Sequence, residues 1–289
     1  MPDIFSLAKE KDVKIGYSVE GTGEKVLLLI HGYPQTSHAW RHVIKPLTQA
    51  GFKLIIPDMR GAGRSSRSFS GYDKKTLASD MVSILKEQHI SGPVYVAGHD
   101  IGMMVAFAMG AYFPEWVNKL VLMEAPLPGT GGFETASADD SRCWHFHFHQ
   151  ARDIPEALTR GNEAYYLERF FHDLAWDYQA IDPAAFKHYV RAFSQPGAMR
   201  AGFELYRAFA RDAEDNKAFL SKGKLKMPVL AATGEGSHFT KIMPGMMAEV
   251  AERWEHTVVE RSAHWIPEEN PEERFCRIKI SSGNMLFFL

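Results

Sequence analysis

The chain has 289 residues, 45% hydrophobic and 24% charged, with 33 basic against 35 acidic side chains and a net charge of −2. That length supports a sizeable core in one large or two smaller units, and the charge balance argues against a nucleic-acid or acidic-surface partner. No apolar run is long enough to cross a bilayer, two cysteines are too few for a disulfide framework, and the leading MPDIFSLAKEKDVKI lacks the apolar centre of a signal peptide, which makes a cytoplasmic location the expectation.

Residues 13–19 and 26–30 read as strands, with Gly21-Thr22-Gly23 between them and the turn His31-Gly32-Tyr33-Pro34 directly after the second. Residues 52–56 predict another strand, which runs into Pro57-Asp58-Met59-Arg60-Gly61-Ala62-Gly63-Arg64. Neither glycine turn is a phosphate loop, because the Lys-Ser/Thr pair is missing from both. An amphipathic helical pattern spans 77–88, and the β-prone run 94–97 follows Gly92-Pro93. Gly98-His99-Asp100-Ile101-Gly102 then opens an Ala- and Met-rich stretch suited to a buried helix. Residues 119–123 predict a strand that ends at Glu124-Ala125-Pro126. From 127 to 226 no strong strand appears, only helical patterns rich in aromatics and histidine. Residues 227–233 and 256–260 restore the strand rhythm before His264.

Strands alternating with helices at this spacing predict an α/β fold with a doubly wound, mostly parallel sheet. The insertion predicts a helical cap above the strand ends, where open α/β sheets bind ligands. The expected division is therefore core at 1–126, cap at 127–226 and core again at 227–289.

Strand, sharp turn and helix around Gly98 to Gly102 form the context of a nucleophile elbow, with Asp100 at its apex. Helix N-terminal amides favour the ionised carboxylate there. A carboxylate gains little by attacking esters or amides, but it can displace a leaving group from saturated carbon and form an alkyl-enzyme ester. The competing reading of Asp100 is a helix N-cap.

HGYP, DMRGAGRS, GHDIG and SAHWIPEE, in that order, resemble the α/β-hydrolase superfamily over nearly the whole chain. The aspartate elbow is similar to that of its epoxide hydrolase and dehalogenase branch. Met123-Glu124-Ala125-Pro126, Cys143-Trp144-His145-Phe146 and Phe203-Glu204-Leu205-Tyr206-Arg207 resemble the Cif-like bacterial epoxide hydrolases. This resemblance implies conversion of an epoxide to a vicinal diol, with no cofactor, and a cis bond before Pro34. It also implies Glu124 as the acid orienting His264, because Ser237 stands where many relatives carry Asp; Glu235 is the competing acid. His145 and Tyr206 are implied as donors to the epoxide oxygen.

The residues themselves support a matching chemistry. His264 suits a general base acting on water, and the backbone amides of Tyr33 and Ile101 are expected to form the oxyanion hole. Trp40, Phe146 and Trp265 are candidate pocket walls, while Asp58, Arg60, Gly61 and Gly63 are expected to hold a loop beneath the site. Alternate histidines at 145, 147 and 149 would share a face on a strand and suggest a metal. The stretch reads as helix, however, and no carboxylate or cysteine completes a set, so no metal is expected. Two other functions compete. A haloacetate or haloalkane dehalogenase would use the same Asp-His pair, but Ile101-Gly102-Met103-Met104-Val105 lacks an arginine clamp, and Ile101 and Tyr33 stand where haloalkane dehalogenases carry Trp and Asn. A non-catalytic scaffold binding a small molecule or protein would not need nucleophile, base and acid together. The expected partner is a small-molecule epoxide, with neither nucleic acid nor membrane involved. The apolar end at 285–289, after the break at 281–284, is open to packing on the core, to contact with a second subunit in a homodimer, or to being an appended sequence.

Overall fold

The computed structural model describes residues 6–10 and 13–271; the apolar C-terminal stretch singled out above lies outside them. Eight strands form one sheet: β1 (Ser6–Glu10), β2 (Val13–Glu20), β3 (Lys25–Ile30), β4 (Phe52–Pro57), β5 (Val94–His99), β6 (Val117–Met123), β7 (Val229–Gly234) and β8 (Trp254–Val259). Their spatial order is β1-β2-β4-β3-β5-β6-β7-β8. β1 and β2 pair antiparallel, as do β2 and β4, and every later pairing is parallel.

β3 shows why such strands are apolar throughout. Leu28 and Ile30 join one core cluster, while Leu27 and Leu29 join the cluster on the opposite face. Alternation along a strand buried on both sides leaves no place for a polar residue. The helices α1 (Arg41–Gln49), α2 (Lys74–Glu87) and α3 (Ile101–Tyr112) follow β3, β4 and β5. Val43 and Leu47 of α1 pack in the second cluster together with Trp40, which is completely buried there. Trp40 is therefore core and not a pocket wall: it fills the face of the sheet that α1 covers.

Seven helices lie between β6 and β7: α4 (Gly131–Ser137), α5 (Asp140–Gln150), α6 (Ile154–Thr159), α7 (Glu163–Leu174), α8 (Pro183–Phe193), α9 (Ala198–Arg207) and α10 (Phe209–Leu220). Their inner faces carry Phe146, Phe170, Phe203, Tyr206 and Phe209, all buried in the main core cluster. A buried ion pair is among the polar contacts that fasten the cap to the core: Lys74 Nζ of α2 lies 2.7 Å from Asp212 Oδ2 of α10, both side chains buried. Helices α11 (Met243–Val250) and α12 (Ile266–Glu269) complete the fold. Among the described residues, no helix is long and apolar enough to cross a membrane.

Candidate active site

β5 ends at His99 and α3 begins at Ile101, so Asp100 alone makes the turn. Its φ of 54° and ψ of −125° place it where L-residues rarely sit. Glycine on either side allows the strand and helix to meet. A Cβ on Gly98 would lie 2.1 Å from the Gly102 carbonyl oxygen, and one on Gly102 would lie 2.2 Å from that of Ile30. The elbow is fixed to the neighbouring strand end, since the Asp100 amide donates to the Met123 carbonyl at 2.9 Å. The next residue, Glu124, also has a positive φ, 63°.

The Asp100 carboxylate meets the turn after β3. Its Oδ1 accepts from the Tyr33 amide at 2.7 Å, and the Ile101 amide hydrogen-bonds it as well. A Cβ on Gly32 would lie 2.4 Å from Oδ1, so the approach requires glycine. The Tyr33–Pro34 bond is cis. His31 holds the turn from below, donating from Nδ1 to the Gly32 carbonyl (2.8 Å) and accepting at Nε2 from the Met59 amide (2.9 Å). Burial disfavours the Asp100 charge, yet the hydrogen bond and charge of His264, helped by His99 and the Ile101 amide, keep its pKa below the usual carboxylate value.

His264 stands between two carboxylates. Its Nε2 is 3.6 Å from Asp100 Oδ2 and its Nδ1 is 3.3 Å from Glu124 Oε2. Burial lowers the imidazole pKa, but hydrogen bonds to Asp100 and Glu124 and their charges outweigh it and raise it to about 9. Glu124 is completely buried and its other contacts are occupied: Oε1 accepts from the Gly234 amide and Oε2 from Ser237 Oγ, each at 2.7 Å. Ser237 thus supports Glu124 through its hydroxyl. Glu235 is exposed and accepts from the Arg261 amide instead.

The cap supplies the opposite wall. Asp100, Ile101, Tyr33 and His264 share a cavity of about 20 Å³ with His145, Phe146 and Tyr206. The His145 and Tyr206 rings meet edge-on with centroids 5.6 Å apart. Burial holds the His145 imidazole neutral, with a pKa of about 3, and holds the Tyr206 phenol protonated, well above its ordinary value. Trp265 does not line this cavity; it is completely buried, packed against Phe171 (4.9 Å) and His264 (4.6 Å). Its place directly after His264 hides that it packs into the core.

Five lining residues had no signal in the sequence reading: Met104, Phe170, Leu174, Phe239 and His238. The last follows Ser237, the position that departs from the relatives' pattern, and that departure was the available clue. In the loop under the site, Asp58 accepts from the amides of Ser37 and Arg64, and Arg60 grips buried Asp80 through two bonds at 2.9 and 2.6 Å. His145 and His149 are one turn apart on α5 and both buried, while His147 is exposed, so the three histidines do not converge. Among the described residues, no group of three or more His, Cys, Asp or Glu is placed to hold a metal.

The family described as alpha/beta hydrolase fold matches residues 25–271. A soluble epoxide hydrolase from Corynebacterium sp. strain C12 is 33% identical over 270 residues, covering 90% of each chain. The crystal structure of Cfl2 from Burkholderia cenocepacia superposes with a TM-score of 0.86 at 33% identity, covering 93% of this chain and 92% of that one. The epoxide hydrolase CorEH superposes with a TM-score of 0.84 at 32% identity, covering 92% and 94%.

Proposed function

The chain belongs to the alpha/beta hydrolase fold family, and within it we propose an epoxide hydrolase that works through an ester on Asp100. The observation that carries this reading is one carboxylate facing three kinds of group at once: the Tyr33 amide at 2.7 Å, His264 at 3.6 Å, and the cap pair His145 and Tyr206 across the cavity. An Asp100 oxygen attacks a ring carbon, and the ring C–O bond breaks as Tyr206, assisted by His145, protonates the departing oxygen. Esterification removes the Asp100 charge, and with it much of what raises the His264 pKa. His264 then releases its proton and takes one from water. The resulting hydroxide attacks the Asp100 carboxyl carbon, while the Tyr33 and Ile101 amides hold the oxyanion. Collapse releases the diol and returns the carboxylate, with Glu124 keeping the imidazole oriented throughout.

The cavity lining contains no arginine to clamp a haloacid carboxylate, which favours epoxides over haloacetates. A binding scaffold would have no use for a buried Glu124–His264–Asp100 line. We propose a cytoplasmic location, as expected for a chain similar to a soluble bacterial epoxide hydrolase.

The test is a panel of aryl and alkyl epoxides, with fluoroacetate and chloroacetate as controls for halide release. Diol formation without halide release is expected. Halide release at rates matching epoxide turnover would move the protein to the dehalogenases. His264→Ala should open the epoxide once and stall, gaining the mass of one substrate on the peptide that contains Asp100. A variant that stays unmodified while its product carries heavy oxygen from labelled water in the first turnover would exclude the covalent route.

A further inference from the structure

His264 sits in a loop: β8 ends at Val259 and α12 begins at Ile266, so neither sheet ladder nor helix fixes the imidazole. Its aim at Asp100 and Glu124 depends on what holds the backbone of residues 262–265. Hydrogen bonds hold it from three sides. The His264 amide donates to the Leu174 carbonyl of the cap at 3.0 Å. Its carbonyl accepts from His99 Nε2, next to the nucleophile, at 2.6 Å. The amides before and after it, those of Ala263 and Trp265, both donate to Glu269 Oε2, at 2.7 and 3.1 Å.

Glu269 is the last residue of α12, and its side chain turns back to the start of that helix. Oε2 also accepts from Ser262 Oγ at 3.3 Å. The second oxygen faces the cap. Oε1 accepts from the amides of Trp176 and Asp177, the latter at 3.2 Å. These two residues follow Leu174, which ends α7 and lines the cavity at Asp100. One carboxylate therefore holds backbone amides of the base loop with one oxygen and backbone amides of the cap with the other. Only a side chain with two acceptor oxygens can do both; a glutamine has one. Burial pushes the Glu269 pKa above the ordinary carboxylate value, against the opposing pull of these amides. Neither ring opening nor ester hydrolysis, as described above, makes any use of this group.

We propose that Glu269 is a positioning residue for ester hydrolysis: it ties the loop carrying His264 to the cap segment after Leu174, so that the base and that wall of the cavity are held as one unit. The effect is selective between the two half-reactions. Ring opening uses Asp100, His145 and Tyr206, none of which is a hydrogen-bond partner of Glu269 among the described residues. Hydrolysis needs His264 Nε2 aligned with a water that faces the Asp100 carboxyl carbon, and a misplacement of about 1 Å at such a step costs about a hundredfold. The proposal rests on the reading that Asp100 forms an ester which His264 helps to hydrolyse.

The experiment compares Glu269→Gln, Glu269→Ala and His264→Ala with the wild type on one aryl epoxide. Quenched mass spectrometry in single turnovers follows both the appearance of the ester on Asp100 and its decay. Glu269→Gln keeps the shape of the side chain but offers one acceptor oxygen in place of two. Both Glu269 variants should alkylate at the wild-type rate, while ester decay slows roughly tenfold in Glu269→Gln and about a hundredfold in Glu269→Ala. The ester should then accumulate in the steady state. Ester decay at the wild-type rate in both variants would overturn the proposal. Alkylation slowed as much as decay would overturn it too, since Glu269 would then be a general support of the fold. His264→Ala reports on the underlying reading: one substrate mass retained on Asp100 upholds the ester whatever the Glu269 variants do, and an unmodified protein removes that premise.

Discussion

The 3.6 Å between His264 and Asp100 couples their protonation, and the coupling has a sign. The folded imidazole titrates at about 9, against 6.5 for an ordinary histidine. A raised histidine pKa contributes stability that is fully present below about 6.5 and is lost as pH rises through about 9. The wild-type melting temperature should therefore fall between these values, and Asp100→Asn, which removes one of the two charges responsible, should fall less steeply. Equal slopes by calorimetry would contradict the coupling. At the same scale, Glu124→Gln should lower turnover by roughly two orders of magnitude or more, by analogy with losing the partner that fixes a catalytic imidazole. Glu235→Gln should change it little, because that side chain is exposed and bonded to the Arg261 amide; kcat of both variants on one epoxide separates the two acids. Asp100 and Glu124 were legible as candidates because each directly follows a readable strand, and His264 because it comes in the loop shortly after β8. Trp40 and Trp265 were not, since an aromatic residue beside a site motif carries no mark of which way it points.

Among the elements, strands buried on both faces were the easiest to read. β3 is an unbroken apolar run, and the sequence expectation for it misses only Lys25. Helix α1 went unseen because Pro46 interrupts its pattern, although Val43 and Leu47 still reach the core from one face. The cap was visible as a break in the strand rhythm, but its fastening was not. Lys74 and Asp212 are 138 residues apart, and no local pattern links them. Lys74 Nζ contacts Asp212 and the Leu205 carbonyl (2.5 Å), and its amide donates to Asp212 Oδ1 (2.8 Å). Asp212→Asn keeps an acceptor for that amide but leaves a buried ammonium without its counter-charge, which should cost about 3–5 kcal/mol. Adding Lys74→Met should recover most of the loss. Urea denaturation checks both steps; a single variant as stable as wild type would show the pair to be dispensable.

Across the whole molecule, the cap divides the route to Asp100 into two chambers. The inner one, at Asp100, is small, whereas a cleft of about 330 Å³ opens between α5 and α7. His145, Phe170 and Leu174 line both, so these three side chains form the partition. The outer chamber is polar, with Arg142, Arg169 and Asp173 on its walls, and Arg169 pairs with Asp173 at 2.8 Å. A substituted epoxide is expected to place its ring at Asp100 and its substituent past Leu174. Enlarging Leu174 should therefore penalise substituents by size while leaving the chemistry at Asp100 untouched. Leu174→Trp should lower kcat/KM for a bulky aryl epoxide by roughly tenfold or more relative to a small alkyl epoxide, the discrimination typical of a few methylene groups in a shaped pocket. Phe170→Ala should shift the ratio the other way. Competition between the two epoxides in one reaction, followed by chromatography of both diols, measures that ratio directly. A ratio unchanged in both variants would mean that substrate reaches Asp100 by another path, and the partition would lose its meaning.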